Sequence, residues 1–193
     1  MTSVAPVNIV KPTPQDLIAA RDKRVPDLIA FNLKVLFCGI NPGLYSGAVG
    51  HHFARPGNRF WPALYKAGFT DRLLSAFEEK ELLKSDYGIT NIVRRSTANA
   101  SELSSSELKE GAKRLTRTVL KYKPRITAVL GVDAYRKAFD RREAVLGLQS
   151  ERIGTSALWI LPNPSGINAH FQLKDLAKLF KELEEASENM STV

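Results

Sequence analysis

The chain has 193 residues, 44% of them apolar and 25% charged, a length and composition that suit one soluble domain with a real core. Its 28 Lys and Arg against 20 Asp and Glu give a net charge of +8 and a pI near 9.7, so the surface field favours an anionic partner, with nucleic acid the first candidate. A single cysteine, Cys38, excludes an internal disulfide and a cysteine-rich zinc site, and no apolar run reaches the ~20 residues of a membrane span. The opening MTSVAPVNIVKPTP has no continuous apolar stretch of the signal-peptide kind. The expectation is a monomeric intracellular protein, in the cytoplasm or nucleoid of a bacterium or the nucleus of a eukaryote.

Residues 1–13 read as a loose tail, and one domain is expected over 14–185. From Pro14 the chain forms short helix, interrupted near Pro26, then a buried strand over Lys34–Ile40. Asn58 caps a helix holding Phe60, Trp61, Leu64 and Tyr65, with Pro62 tolerated in its first turn. A helical stretch over 70–84 precedes a second buried strand, YGITNIV (87–93), which ends in Arg94 and Arg95. A polar loop leads to a helix opened by the capping box Ser104 and Glu107. Leu108, Ala112, Leu115 and Val119 form its buried stripe, and Lys109, Lys113, Arg117 and Lys121 form a solvated one. A strand at 125–131, a short helix at 132–139, an irregular stretch at 140–155 and a strand at 156–162 follow. A last helix buries Leu173, Leu176, Ala177, Phe180 and Leu183, and the acidic tail from 186 frays.

Strand alternating with helix predicts an α/β fold: a three-layer sandwich with a central, mostly parallel sheet between helices. Ligands of such sheets bind beyond the carboxyl ends of the strands. Two odd loops lie there, GINPGLYSGAVGHHFARPGN after the first strand and NPSGINAHF after the last. Neither carries a dinucleotide fingerprint, a P-loop or a nucleophile elbow, and one cysteine cannot complete a zinc-deaminase site. His51 and His52 are adjacent and point opposite ways on extended backbone, which argues against a shared metal. What remains is amide, imidazole and aromatic groups with no carboxylate in either loop. Asparagine cannot take a proton at neutral pH, but its carbonyl can accept a hydrogen bond from water and aim it. That suffices for a reaction with a dissociative, cation-like transition state and an anionic leaving group, such as cleaving a base from deoxyribose.

Gly39-Ile40-Asn41-Pro42-Gly43, the HHF-x-x-P-x-N-R-F-W run from His51 to Trp61, and Asn163-Pro164-Ser165-Gly166 together resemble the mismatch-specific uracil/thymine-DNA glycosylases, a branch of the uracil-DNA glycosylase superfamily. The likeness runs from about Lys34 to Leu183. It implies the sandwich fold, double-stranded DNA with G·U or G·T mispairs as partner, base flipping, and neither metal nor cofactor. By this resemblance Asn41 positions the attacking water, while Pro42 and Gly43 keep the turn tight and let backbone approach the nucleotide. Phe53 stacks on the flipped base, and Ile40 and Phe53 offer backbone groups to its edge. Ser46 lines the pocket near C5, His52 donates to the base, and Asn91 reads it through its amide. Gly166, Ile167 and Asn168 form a wedge that fills the vacated stack and faces the orphan guanine; Asn163 and His170 belong to the same loop. Ser165, Arg55, Arg59, Arg94 and Arg95 are phosphate contacts.

Two departures stand out. Faster branches carry aspartate where this chain has Asn41, so turnover is expected to be slow. Related wedge loops carry arginine where this chain has Ala169, leaving His170 or Lys174 as substitutes. The rival readings are a weakly active mismatch-binding module of the same fold and a nucleotide-binding α/β hydrolase.

Overall fold

The computed structural model describes residues 11–166 and 169–190. Four parallel strands form the centre: β1 (Val35–Gly39), β2 (Tyr87–Asn91), β3 (Ile126–Leu130) and β5 (Ser156–Leu161). Each is buried along its whole length, which is why each reads as a continuous apolar run. A fifth strand, β4 (Gly147–Ile153), pairs antiparallel with β5, giving the order β2-β1-β3-β5-β4.

Alternation along β1 sends side chains to two cores. Val35 and Phe37 face one core with α3 (Phe60–Ala67) and α6 (Leu173–Asn189). There the Phe37 ring meets Phe60 and Phe69 edge-on at 5.5 and 5.3 Å. Leu36 and Cys38 face the other core with α4 (Ser105–Tyr122) and α5 (Val132–Phe139). Burial pushes the Cys38 thiol far above its ordinary pKa, so it packs as a small hydrophobe.

The helix starts follow local chemistry. Ser104 and Glu107 close the capping box of α4 reciprocally, the Glu107 amide donating to Ser104 Oγ at 3.2 Å and the Ser104 amide to Glu107 Oε2 at 2.9 Å. Asn58 accepts from the Phe60 amide at 2.9 Å and caps α3 from one residue before its backbone N-cap, Arg59. Thr13, placed in the loose tail by the sequence, caps α1 (Pro14–Ala19) through another capping box.

Four elements differ from the sequence expectation. The irregular stretch 140–155 contains β4, whose half-buried, half-exposed alternation includes Gln149, Glu151 and Arg152. The 70–84 stretch becomes a 3-10 helix over Ala76–Ser85. A short helix, α2 (Leu44–Val49), forms inside the first odd loop. Finally α6 runs on to Asn189 where fraying was expected, because Ser187 is buried and Glu188 pairs with Lys34 at 2.8 Å. Among the described residues no helix is long and apolar enough to cross a membrane.

Candidate active site

The carboxyl ends of β1, β2 and β5 converge on a cavity of about 270 Å³. Asn41, Asn91 and Asn163 contribute amides to its wall, Phe53 a ring, Ser46 a hydroxyl and Arg55 a guanidinium. Among the described residues no carboxylate lines it.

Asn41 leaves β1 just after Gly39. Its Nδ2 shares two hydrogens among three acceptors: Thr97 Oγ1 at 2.7 Å, the Arg95 carbonyl at 3.0 Å and the Pro42 carbonyl at 3.1 Å. Two of these are carbonyls, which can only accept, so the amide cannot be turned end for end. Thr97 is itself committed, its hydroxyl proton going to the Asn99 carbonyl at 2.8 Å. The nitrogen end of Asn41 is therefore wired into the protein, and its Oδ1 remains as an acceptor at the cavity wall. Gly43 begins α2, and a Cβ there would meet nothing within 4 Å, so its missing side chain only widens the cavity mouth.

Asn91 closes β2 and is 3% exposed. Arg114 of α4 donates to its backbone carbonyl and, at 2.9 Å, to that of Ile92, fixing the strand end. The side-chain Nδ2 faces His52 Nδ1 at 3.3 Å. His52 is 2% exposed, and its Nε2 lies 2.9 Å from the Pro26 carbonyl. A carbonyl has no proton to give, so Nε2 carries the hydrogen. Burial pulls the His52 pKa below its ordinary value, so at neutral pH the ring is neutral and Nδ1 is an acceptor. This corrects one expectation: His52 lines the cavity, but its one N–H goes to Pro26 and its other nitrogen accepts from Asn91, so it has no proton for a base. Glu79 completes its seat, accepting from the His52 amide at 2.9 Å while its other oxygen meets His51 Nδ1 at 3.0 Å. His51 does not line the cavity.

Phe53 adopts φ +52°, rare for a residue with a side chain. One face of its ring stacks on Phe60 at 4.1 Å between centroids, and the ring lines the cavity. The same packing explains Gly39, where a Cβ would stand 2.5 Å from Asn91 Oδ1 and 3.2 Å from Phe53 Cζ. Ser46 is buried in the wall, and its Oγ accepts from the Ala54 amide at 3.1 Å. The Ile40 carbonyl is taken by the Val93 amide at 2.9 Å.

The second odd loop docks on the first. The Arg59 amide donates to the Pro164 carbonyl at 2.9 Å, and its guanidinium donates to the carbonyls of Gly166, at 2.9 Å, and Phe171. Asn163 Oδ1 accepts from the Ser165 amide at 3.0 Å, and both residues line the cavity. His170 lines a neighbouring hollow of about 280 Å³ on the far side of Ile40 and Asn163. The expected wedge residues Ile167 and Asn168 lie outside the described residues.

The four arginines named for phosphates divide. Arg55 is exposed at the cavity edge, and its guanidinium has no partner among the described residues. Arg59 braces the second loop as described. Arg94 pairs with Asp27 at 2.8 Å, and Arg95 pairs with Glu107 at 2.6 Å and Asp22 at 3.1 Å. What Arg95 brings to the site is its backbone carbonyl, the anchor for Asn41. Thr97, Pro26, Glu79 and Arg114 escaped the sequence reading. Only Pro26 left a trace there, as the interruption of the first helical segment.

The profile of the Uracil DNA glycosylase superfamily matches residues 26–186. Among solved structures, the chain is similar to a candidate uracil DNA glycosylase from Methanosarcina acetivorans determined by solution NMR. Identity is 19% and the TM-score 0.57, with 84% of this chain and 98% of that chain covered. At that identity the likeness speaks for the fold.

Proposed function

Because this chain belongs to the uracil DNA glycosylase superfamily, we propose that it removes uracil opposite guanine from duplex DNA, leaving an abasic site, with thymine and ethenocytosine as further substrates to test. The observation that carries this reading is the wiring of Asn41. With Nδ2 held by Thr97, Arg95 and Pro42, Oδ1 accepts one hydrogen of a water molecule and turns the water's lone pair towards the sugar of a nucleotide in the cavity. The glycosidic electrons leave with the base as an anion delocalised over its carbonyl oxygens. Water captures the cationic C1′ and its released proton passes to the departed base anion, so no covalent enzyme intermediate forms and the strand is not cut.

Asn91 reads the base. An amide offers an acceptor beside a donor, the complement of the N3–H and O4 edge of uracil. Phe53 supplies a ring face for stacking. A mispaired base leaves the helix at a cost of a few kcal/mol, less than a paired one, which favours G·U over A·U. A neutral amide does not stabilise the cationic sugar by charge, and among the described residues no carboxylate lines the cavity to do so, which supports slow turnover.

The test is a labelled G·U duplex incubated with the protein and then treated with alkali. Strand cleavage only after alkali supports a monofunctional glycosylase, whereas no cleavage at any protein concentration supports a binding module. Asn41→Ala should slow excision by about 10²–10³-fold and leave duplex affinity nearly intact. Parallel loss of both would remove Asn41 from the chemistry.

A further inference from the structure

We infer that His52 is a positioning residue that locks the Asn91 amide in one of its two end-for-end orientations, and that this lock excludes cytosine from the pocket. The inference rests on the reading of Asn91 as the base reader and deepens it.

An asparagine amide is nearly symmetric in shape, so a pocket that reads a base through one must prevent it from rotating by 180° about χ2. Rotation exchanges acceptor and donor. The orientation that accepts from N3–H and donates to O4 fits uracil or thymine. The reversed one fits cytosine, whose N3 accepts and whose exocyclic amine donates. An unconstrained amide would accommodate either base.

A chain of three groups removes that freedom. The Pro26 carbonyl, 2.9 Å from His52 Nε2, requires the hydrogen there. In the neutral ring Nδ1 is then a bare acceptor, and the group it faces at 3.3 Å is Asn91 Nδ2. Reversing the amide would bring Oδ1 against Nδ1, two acceptors with no proton between them in a buried site. Asn91 therefore presents Oδ1 and its second Nδ2 hydrogen, neither of which has a partner among the described residues. The His52 ring cannot drift, because its backbone is held on both sides, the amide by Glu79 at 2.9 Å and the carbonyl by Trp61 Nε1 at 3.3 Å.

The lock has a built-in weakness. Protonating His52 turns Nδ1 into a donor, which then prefers Asn91 Oδ1 and reverses the amide. Burial opposes that protonation; Glu79 and Asp27 favour it, and His51 disfavours it. Asp27 also faces Arg94 at 2.8 Å and Arg114 at 3.9 Å. Because the His52 pKa is depressed from 6.5, the lock is closed at neutral pH and opens only as pH falls below that value.

The experiment measures affinity for duplexes carrying 2′-fluoro-2′-deoxyuridine or 2′-fluoro-2′-deoxycytidine opposite a tetrahydrofuran abasic analogue, so that neither pyrimidine is paired. The fluorine suppresses cleavage. The native protein at about pH 8 should prefer uracil by at least about tenfold, and His52→Phe, which keeps a flat ring without nitrogens, should reduce that ratio to about threefold or less. A merely structural loss would weaken both duplexes equally and leave the ratio intact. His52→Leu, which fills the same space without nitrogens, should lower the ratio at about pH 8 too, and this arm decides the matter where His52→Phe does not fold. A ratio unchanged in both arms overturns the lock. Failure to excise uracil from G·U at neutral pH would instead overturn the functional reading beneath it.

Discussion

Thr97 offers the sharpest test of the role proposed for the Asn41 amide. Thr97→Val keeps the shape and deletes the shortest of the three bonds to Asn41 Nδ2, that at 2.7 Å. The Arg95 and Pro42 carbonyls, at 3.0 and 3.1 Å, still hold the same end of the amide inward. The loss is thus one neutral hydrogen bond, worth about 0.5–1.5 kcal/mol. Expressed wholly in the barrier, that is roughly a 2- to 12-fold slower excision, since about 1.36 kcal/mol is tenfold in rate. Asn41→Ala deletes the water's acceptor itself, and removing one such positioned group typically costs about 10²–10³-fold. If Thr97 acts only through Asn41, the double variant should be no slower than Asn41→Ala alone. Single-turnover excision from a G·U duplex, quenched in alkali, gives all four rates, and affinity for an uncleavable duplex confirms that binding is unchanged. Equal factors for Thr97→Val in the presence and absence of Asn41 would show that the hydroxyl works independently, and the wiring argument would fail.

Gly39→Ala would place a methyl 2.5 Å from Asn91 Oδ1 and 3.2 Å from the Phe53 ring. It should cost about 1–3 kcal/mol in chemical denaturation and slow uracil excision; an unchanged rate would separate Asn91 from base reading. Arg55→Gln should flatten the dependence of log affinity on log salt by about one unit without loss of stability. Arg59→Gln should do the reverse, leaving the salt slope alone and costing about 1–3 kcal/mol, because it withdraws donors from the Gly166 and Phe171 carbonyls. Tyr135 packs its ring on Phe139 at 4.8 Å, but its buried hydroxyl has no partner among the described residues. Tyr135→Phe should therefore stabilise the protein by about 1 kcal/mol, and a loss of stability would reveal a bonding partner for that hydroxyl.

The parts of the fold legible in the sequence are those where local pattern and tertiary setting agree. A strand buried on both faces of a parallel sheet needs an unbroken apolar run, so β1, β2, β3 and β5 announce themselves. β4 does not, because an edge strand alternates, and Gln149, Glu151 and Arg152 hide its pairing with β5 across the turn at Gly154. The site divides the same way. Asn41 stood out because the mouth of a core strand is an odd place for an asparagine, whereas Phe53 and Asn91 stood out only through the resemblance. Thr97 and Pro26 meet their partners across 56 and 26 residues of chain, and nothing in their neighbourhoods marks them as part of the site. His52 stood out for its residue type, yet its role turned on which nitrogen faces a carbonyl, and only the folded geometry supplies that.

The two amides of the cavity share a design that bears on specificity. Asn41 is anchored through its nitrogen to two carbonyls and a hydroxyl, and Asn91 through its nitrogen to an imidazole acceptor. Both consequently leave their carbonyl oxygens as acceptors, and in the function proposed above the groups they await are donors: a water hydrogen in one case, the N3–H of a base in the other. Charges are absent from this arrangement, so neither amide gains from a long-range field, and each acts only at hydrogen-bond distance and in one orientation. A pocket of this kind holds an unsuitable base weakly because its acceptors are left facing acceptors, a penalty of about 1–3 kcal/mol per unsatisfied buried group.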